Sequence, residues 1–345
     1  MSESAPLAAI FGCQGPQLDA QETRFFRDAD PFGFILFQRN CDNPEQVRQL
    51  VNDLRDSVGR ADAPVLIDQE GGRVQRLKPP HWRDAPPAAR FAALAEINPD
   101  RAIEAARLNA RLIASDLMDL GITVDCTPVL DVPQDNADPI IGDRAYGADP
   151  AMIAALAGAV CEGLLEGGVL PVIKHIPGHG RADVDSHLAL PVVATPLTEL
   201  ERSDFAPFVA LAHIPWAMTA HVVYTQIDTA NPATTSAKVI DVIRREIGFT
   251  GVLLSDDLSM QALAGGMAQR VRGSLAAGCD IVLHCNGEMD EMAAIAEACA
   301  GLGDAAIARI EKAELARLEN VRPLQETTGQ AVERLNMMLE GKVAV

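Results

Sequence analysis

Residues 169–175 read VLPVIKH. The apolar residues run together without polar alternation, the pattern of a short strand buried on both faces, and the run ends on Lys174 and His175 instead of fading into a turn. One such run does not separate a strand from a buried helical segment, so its repetition matters. Seven more of similar character occur: LAAIFG (7–12), FGFILF (32–37), APVLID (63–68), ITVDCTPVLDV (122–132), WAMTAHVV (216–223), GVLLSDD (251–257) and CDIVLHC (279–285). Strands buried on both faces belong to a parallel sheet sheathed in helices, and eight of them predict an α/β fold closed into a TIM-like (β/α)8 barrel. An open, doubly wound sheet is the competing arrangement.

Between the runs lie helical patterns. Val47, Leu50, Val51 and Leu54 recur at helical spacing within NPEQVRQLVNDLRDSVG, PDRAIEAARLNARLIASDLMDLG stops at Gly121, and SAKVIDVIRREIG opens on Ser236 and closes on Gly248. These are the residues that cap helices. Two stretches break the rhythm, Gln69 to about Pro99 and Ile176 to about Leu197, and long loops at strand ends commonly carry function. Beyond the eighth run the chain is amphipathic and helical, without a repeat or linker. The expectation is one catalytic barrel over residues 1–345 with a helix-rich tail from about residue 322.

The chain carries 29 Lys+Arg against 48 Asp+Glu, a formal charge of −19. No basic cluster interrupts it, so a nucleic acid would be repelled and a small, uncharged substrate is expected. Seven scattered cysteines, none in C-x-x-C spacing, read as reduced core thiols. The N-terminus has an acidic Glu3 where a secretory signal needs basic residues, and no apolar run reaches membrane-spanning length. The expected location is the cytoplasm, with no membrane partner; oligomeric state is left open.

In a barrel, chemistry gathers where the strands exit at their C-terminal ends. Five runs end in ionisable or amide residues: Asp68; Lys174 and His175; His221; Asp256 and Asp257; His284 and Asn286. Asp256 follows directly on a strand, where a rigidly held carboxylate suits a nucleophile; helix capping by Ser255, Asp256 or Asp257 is the plainer alternative. After the fifth run comes KHIPGHGRADVDSH (174–187). Its glycines and proline force an irregular loop, and Asp185 stands one residue from His187, close enough to hold the imidazole and tune it as an acid/base. For His179 a loop-stabilising hydrogen bond is the expected role. In DQEGGRVQR, Asp68 and Arg76 suit the hydroxyls of a polar uncharged ligand, Glu70 and Arg73 read as a local ion pair, and Arg144 in IIGDRAYG is a second donor near the same mouth.

KHIPGHG, four residues, then DSH, together with IDQEGGRVQRL, TPVLDV, GDRAYG and LLSDDLSM in this order, resembles glycoside hydrolase family 3, and within it the short bacterial β-N-acetylglucosaminidases of cell-wall recycling. The resemblance spans roughly residues 8 to 290. It implies a TIM-like barrel, Asp256 as nucleophile, His187 as general acid/base with Asp185 as its partner, and Asp68, Arg76, Arg144, Lys174 and His175 as ligands of the N-acetylglucosamine ring. It also implies retention of the β configuration, a muropeptide or other N-acetylglucosaminide as substrate, and neither metal nor organic cofactor. Ile176 and Thr127 depart from the family's usual Phe and Ala. A metal-dependent barrel hydrolase built on His175, His221, His284, Asp256 and Lys174, and a non-catalytic sugar-binding module, are the two alternatives from other classes.

Overall fold

The computed structural model describes residues 5–134, 140–182, 184, 186 and 189–340. Asp185 and His187 lie outside the described residues.

All eight runs become strands of one closed barrel: β1 (Leu7–Gly12), β2 (Pro31–Leu36), β3 (Val65–Ile67), β4 (Val124–Asp125), β5 (Leu170–Ile176), β6 (Trp216–Thr219), β7 (Val252–Asp257) and β8 (Ile281–His284). Every pairing is parallel and joins chain neighbours, and β8 closes on β1 through Ala9–Val282, Ile10–Leu283 and Phe11–His284. The open-sheet alternative is thereby excluded. Helices follow the capping expectations: Asn43 accepts from the Gln46 N–H ahead of Pro44–Val58, Gly59 ends that helix at φ 66°, and Ser236 caps Ala237–Arg245.

Three elements differ from their expected extents. The eleven-residue ITVDCTPVLDV forms only a two-residue strand, because Pro128 has no N–H to give the ladder. The chain beyond it still bonds to both neighbours, Cys126 N to Ile67 O at 2.8 Å and Leu130 N to Lys174 O at 2.7 Å. The run WAMTAHVV leaves the barrel at Thr219, and Val223–Tyr224 pairs instead with Val192–Val193. Finally, no helix starts at Asp256: β7 continues through Asp257, and the next helix, Met267–Ala277, has Gly266 at its N-cap. Capping by Ser255, Asp256 or Asp257 is therefore not what placed those residues.

Side chains alternate across a strand, so each barrel strand has an inner and an outer row. Leu170 and Val172 of β5, Trp216 and Met218 of β6, Val252 and Leu254 of β7, and Leu66 of β3 share the interior core, whereas Ile173, Ala217 and Leu253 pack outward against helices. Two residues further along three of these inner rows stand Lys174, Asp256 and Asp68. The alternation that fills the barrel with apolar layers thus sets charged groups as its top layer. At the opposite end, Leu302 and helix Asp304–Asn320 close the barrel with Ala306 and Ala313 in the same interior core. Helix Thr328–Leu339 of the tail lies against Pro99–Asp119, burying Ala331 and Leu335.

Candidate active site

The top layer opens into a cavity of about 270 Å³ walled by Phe37, Asp68, Glu70, Arg76, Arg144, Lys174, His175, His179, Ser186, Met218, Asp256 and Met260, among others. Its floor is a network of alternating charge. The Lys174 ammonium, 2% exposed, donates to Asp68 Oδ1 at 2.9 Å and lies 2.7 Å from Glu70 Oε1. Arg76 Nη2 reaches Asp68 Oδ2 at 3.0 Å, and Arg144 grips Glu70 with two bonds of 2.9 Å. Burial alone would raise both carboxyls. Lys174 and then Arg76 outweigh it at Asp68, and Arg144 with Lys174 at Glu70, holding Asp68 well below the usual carboxylate range and Glu70 at about 2. Both stay ionised, and Lys174 stays protonated because its two carboxylates overcome its desolvation.

The expected local pair of Glu70 with Arg73 is not formed. Arg73 pairs with Asp143 at 2.7 Å, and Glu70 turns inward to cations on the next loop and on β5. The turn between them allows this: Gly71 and Gly72 have φ of 98° and 56°, and a Cβ on Gly71 would lie 2.4 Å from the Pro86 carbonyl oxygen.

His175 is held by a residue that carries no role in the sequence reading, although it sits in the quoted TPVLDV. Asp131, fully buried, meets His175 Nδ1 at 2.7 Å and accepts the backbone N–H groups of His175 and His179 at 3.2 and 2.6 Å. His175, then His179, override burial and keep the Asp131 carboxyl at about 2. With Nδ1 engaged, His175 turns its other ring nitrogen away from Asp131, as suits a residue that lines the cavity. His179 does make the loop contact expected of it, Nε2 to Ser186 Oγ at 3.2 Å. Burial lowers its pKa to about 4, so the ring is neutral.

The two aspartates of LLSDD separate cleanly. Asp257 accepts from Ser259 N, Ser259 Oγ and Cys285 N, which fixes the end of β7 against β8. Asp256 accepts the Asp257 N–H at 2.8 Å and stands on the cavity wall, half-buried. The other polar strand ends are scaffold. His221, fully buried, spans Thr234 Oγ1 and the Asp257 carbonyl through its two ring nitrogens. His284 Nε2 and Asn286 Nδ2 share Glu291 Oε2. Of the five metal donors considered, His221 and His284 are committed elsewhere and Lys174 is a buried cation. Among the described residues no three His, Cys, Asp or Glu side chains are gathered as a metal site.

Asp125 is a second residue without a role in the sequence reading. It lies beneath the network with Oδ1 accepting from Gln69 N at 2.9 Å and Oδ2 partnerless. Burial, against the Gln69 N–H and Lys174, pushes its carboxyl up to about 8. The folded protein therefore keeps a proton that the unfolded chain releases near about pH 4, and Asp125 makes stability fall as pH rises from there through about 8. Asp125→Asn is expected to be the more stable form above about pH 8, by about 1–3 kcal/mol, and close to neutral near about pH 5. Urea midpoints of the two proteins running parallel across that range would show Asp125 ionised throughout.

Residues 17–321 match the family model for the glycosyl hydrolase family 3 N-terminal domain. The chain belongs to glycosyl hydrolase family 3. This membership makes it a glycoside hydrolase. Among its relatives, a β-hexosaminidase of Pseudomonas aeruginosa is 38% identical over 311 residues, covering 89% of this chain and 88% of that protein. One from Neisseria meningitidis serogroup B is 39% identical over 278 residues, 78% of this chain and 75% of its own. The crystal structure of NagZ from Neisseria gonorrhoeae in complex with N-trifluoroacetyl-D-glucosamine superposes with a TM-score of 0.86 at 32% identity, covering 99% of both chains. The family resemblance and the barrel expected from the sequence both hold.

Proposed function

We propose that this β-N-acetylhexosaminidase is a retaining exo-enzyme that removes the non-reducing terminal N-acetylglucosamine of peptidoglycan fragments, GlcNAc-1,6-anhydroMurNAc with or without its peptide. The relatives from Pseudomonas aeruginosa and Neisseria meningitidis are β-hexosaminidases, and the crystal of the structural neighbour NagZ holds N-trifluoroacetyl-D-glucosamine. The observation that carries the reading is the placement of Asp256 on the wall of a small cavity whose floor is the Asp68–Lys174–Glu70–Arg144 network. At about 270 Å³ the cavity falls below the range of about 300–1,000 Å³ typical of drug-sized ligands, which suits one sugar ring and hence exo action. Seven unbridged cysteines among the described residues suit a cytoplasmic enzyme.

In this reading Asp68, Arg76, Arg144, Lys174 and His175 hold the ring, with Asp68 accepting from hydroxyls and the cations donating. The charged groups are already paired, so the network is rigid before the sugar arrives and costs little to reorganise. Asp256 attacks the anomeric carbon through an oxocarbenium-like transition state while His187, oriented by Asp185, protonates the departing oxygen. The glycosyl–Asp256 ester then breaks as water attacks the same carbon, giving its proton to His187. Two displacements restore the β configuration. In this reading His187 takes the role that most retaining enzymes give to a second carboxyl.

Incubation with a 2-fluoro or 5-fluoro glycosyl donor is expected to leave one sugar on the peptide containing Asp256; a label on any other carboxylate overturns the assignment. His187→Ala is expected to slow glycosylation from poor leaving groups by about 10²–10⁴-fold, the range of general acid catalysis, and activated aryl glycosides far less. Equal losses in single-turnover experiments would remove the acid role. Activity that disappears on exhaustive chelation and returns with a divalent metal would favour the metal-hydrolase alternative, and a pure protein without turnover the binding module.

A further inference from the structure

The barrel has a second cavity at its N-terminal end, about 700 Å³ against about 270 Å³ at the catalytic end. Phe32, Leu170 and Trp216 form its wall on the barrel side, and Leu302, Ile307 and Ile310 form it on the side of the closing helix. Phe32 and Trp216 are stacked, their rings 25° from parallel and 6.2 Å apart between centroids. Trp216 is 1% exposed, so Phe32 and the aliphatic side chains present most of the apolar surface on which a ligand would lie.

The rim supplies a second sign. Arg60 is tied to Asp30 at 3.0 Å and Arg317 to Glu314. Arg55 donates to the Ala63 and Gly121 carbonyls at 3.1 and 2.8 Å, and among the described residues it forms no ion pair with a carboxylate. Burial lowers its pKa, Asp62 raises it and Arg317 lowers it, the position of a guanidinium short of counter-charge. We propose that this cavity is a second binding site, distinct from the catalytic one, for a flat aromatic monocarboxylate. The aromatic body lies in the apolar wall of Phe32, Leu170, Leu302, Ile307 and Ile310, and the carboxylate supplies the counter-charge that Arg55 lacks. Asp62 and Glu311 stand on the same rim, which restricts the class to a single negative charge.

The probe is 2-naphthoate, titrated against the full chain by calorimetry and by fluorescence, with 2-naphthylmethanol as its uncharged counterpart. One equivalent is expected to bind and to shift the Trp216 emission, with the alcohol at least tenfold weaker. Ile310→Trp fills the cavity and is expected to weaken naphthoate binding at least tenfold while hydrolysis of nitrophenyl N-acetylglucosaminide is unchanged. Arg55→Gln is expected to erase the preference for the acid over the alcohol, and remains informative should Ile310→Trp fold poorly. No binding at millimolar probe, binding untouched by Ile310→Trp, or equal affinity for acid and alcohol in the unaltered protein each overturns the proposal. A probe that acts only by dissociating a dimer would assign the face to a second copy of the chain, overturning it too.

Discussion

Asp256→Ala is expected to lower kcat on nitrophenyl N-acetylglucosaminide by about 10⁴–10⁶-fold, the scale on which loss of a catalytic nucleophile acts. Asp256 caps no helix and accepts the N–H of the next residue at 2.8 Å, and the variant is expected to keep its fold and its urea midpoint. Asp257→Ala is the contrast: that carboxylate receives Ser259 N, Ser259 Oγ and Cys285 N, and its loss should reduce stability as well as rate. Purified Asp256→Ala protein that retains more than a hundredth of the turnover would refute the nucleophile, whereas loss of both rate and fold would make Asp256 structural. Added azide offers a further check, since a small anion entering the vacated space should restore rate and return the inverted α-azide.

The second large effect is expected at Lys174. Replacing it with methionine keeps the length of the stem but leaves Asp68 and Glu70 without the cation they share. Breaking a buried pair from one side costs about 3–5 kcal/mol because the opposite charge stays behind. The sign with pH follows from the depressed carboxyls. Their contribution is fully present above the unfolded pKa near about 4 and is lost as pH falls through the folded values. In Lys174→Met those values move up, so a carboxyl can take a proton, and the penalty measured by urea unfolding should shrink as pH is lowered from neutrality toward about 4. Asp68→Asn combined with Lys174→Met should cost less than the sum of the single changes. A penalty independent of pH would mean that packing of the lysine stem, not its charge, is what matters there.

Local periodicity explains why so much of the fold was legible. A run such as GVLLSDD declares a strand through neighbours one and two residues apart, and Asn43, Gly59 and Ser236 mark helix ends through bonds spanning only a few residues. The limits have physical causes as well. β4 was read as too long because a proline inside an apolar run ends the ladder without ending the apolar pattern. His221 and His284 looked like mouth residues because strand ends and scaffold contacts use the same residue types there. Asp131 carried no role of its own because its partners, His175 and His179, stand 44 and 48 residues further on.

The succession of strands along the chain, their burial on both faces and the charged residues that end three of the inner rows were contained in the sequence, since they follow from residue type at spacings of one, two and three to four along the chain. Which charges meet was settled only by closure of the barrel. Glu70 takes Arg144, 74 residues away, rather than Arg73 beside it, and Lys174 joins Asp68 across 106 residues. A buried carboxylate pairs with whichever cation the fold brings within reach, because desolvation makes every other choice more costly, and reach across a barrel is set by strand adjacency and loop path rather than by distance along the chain.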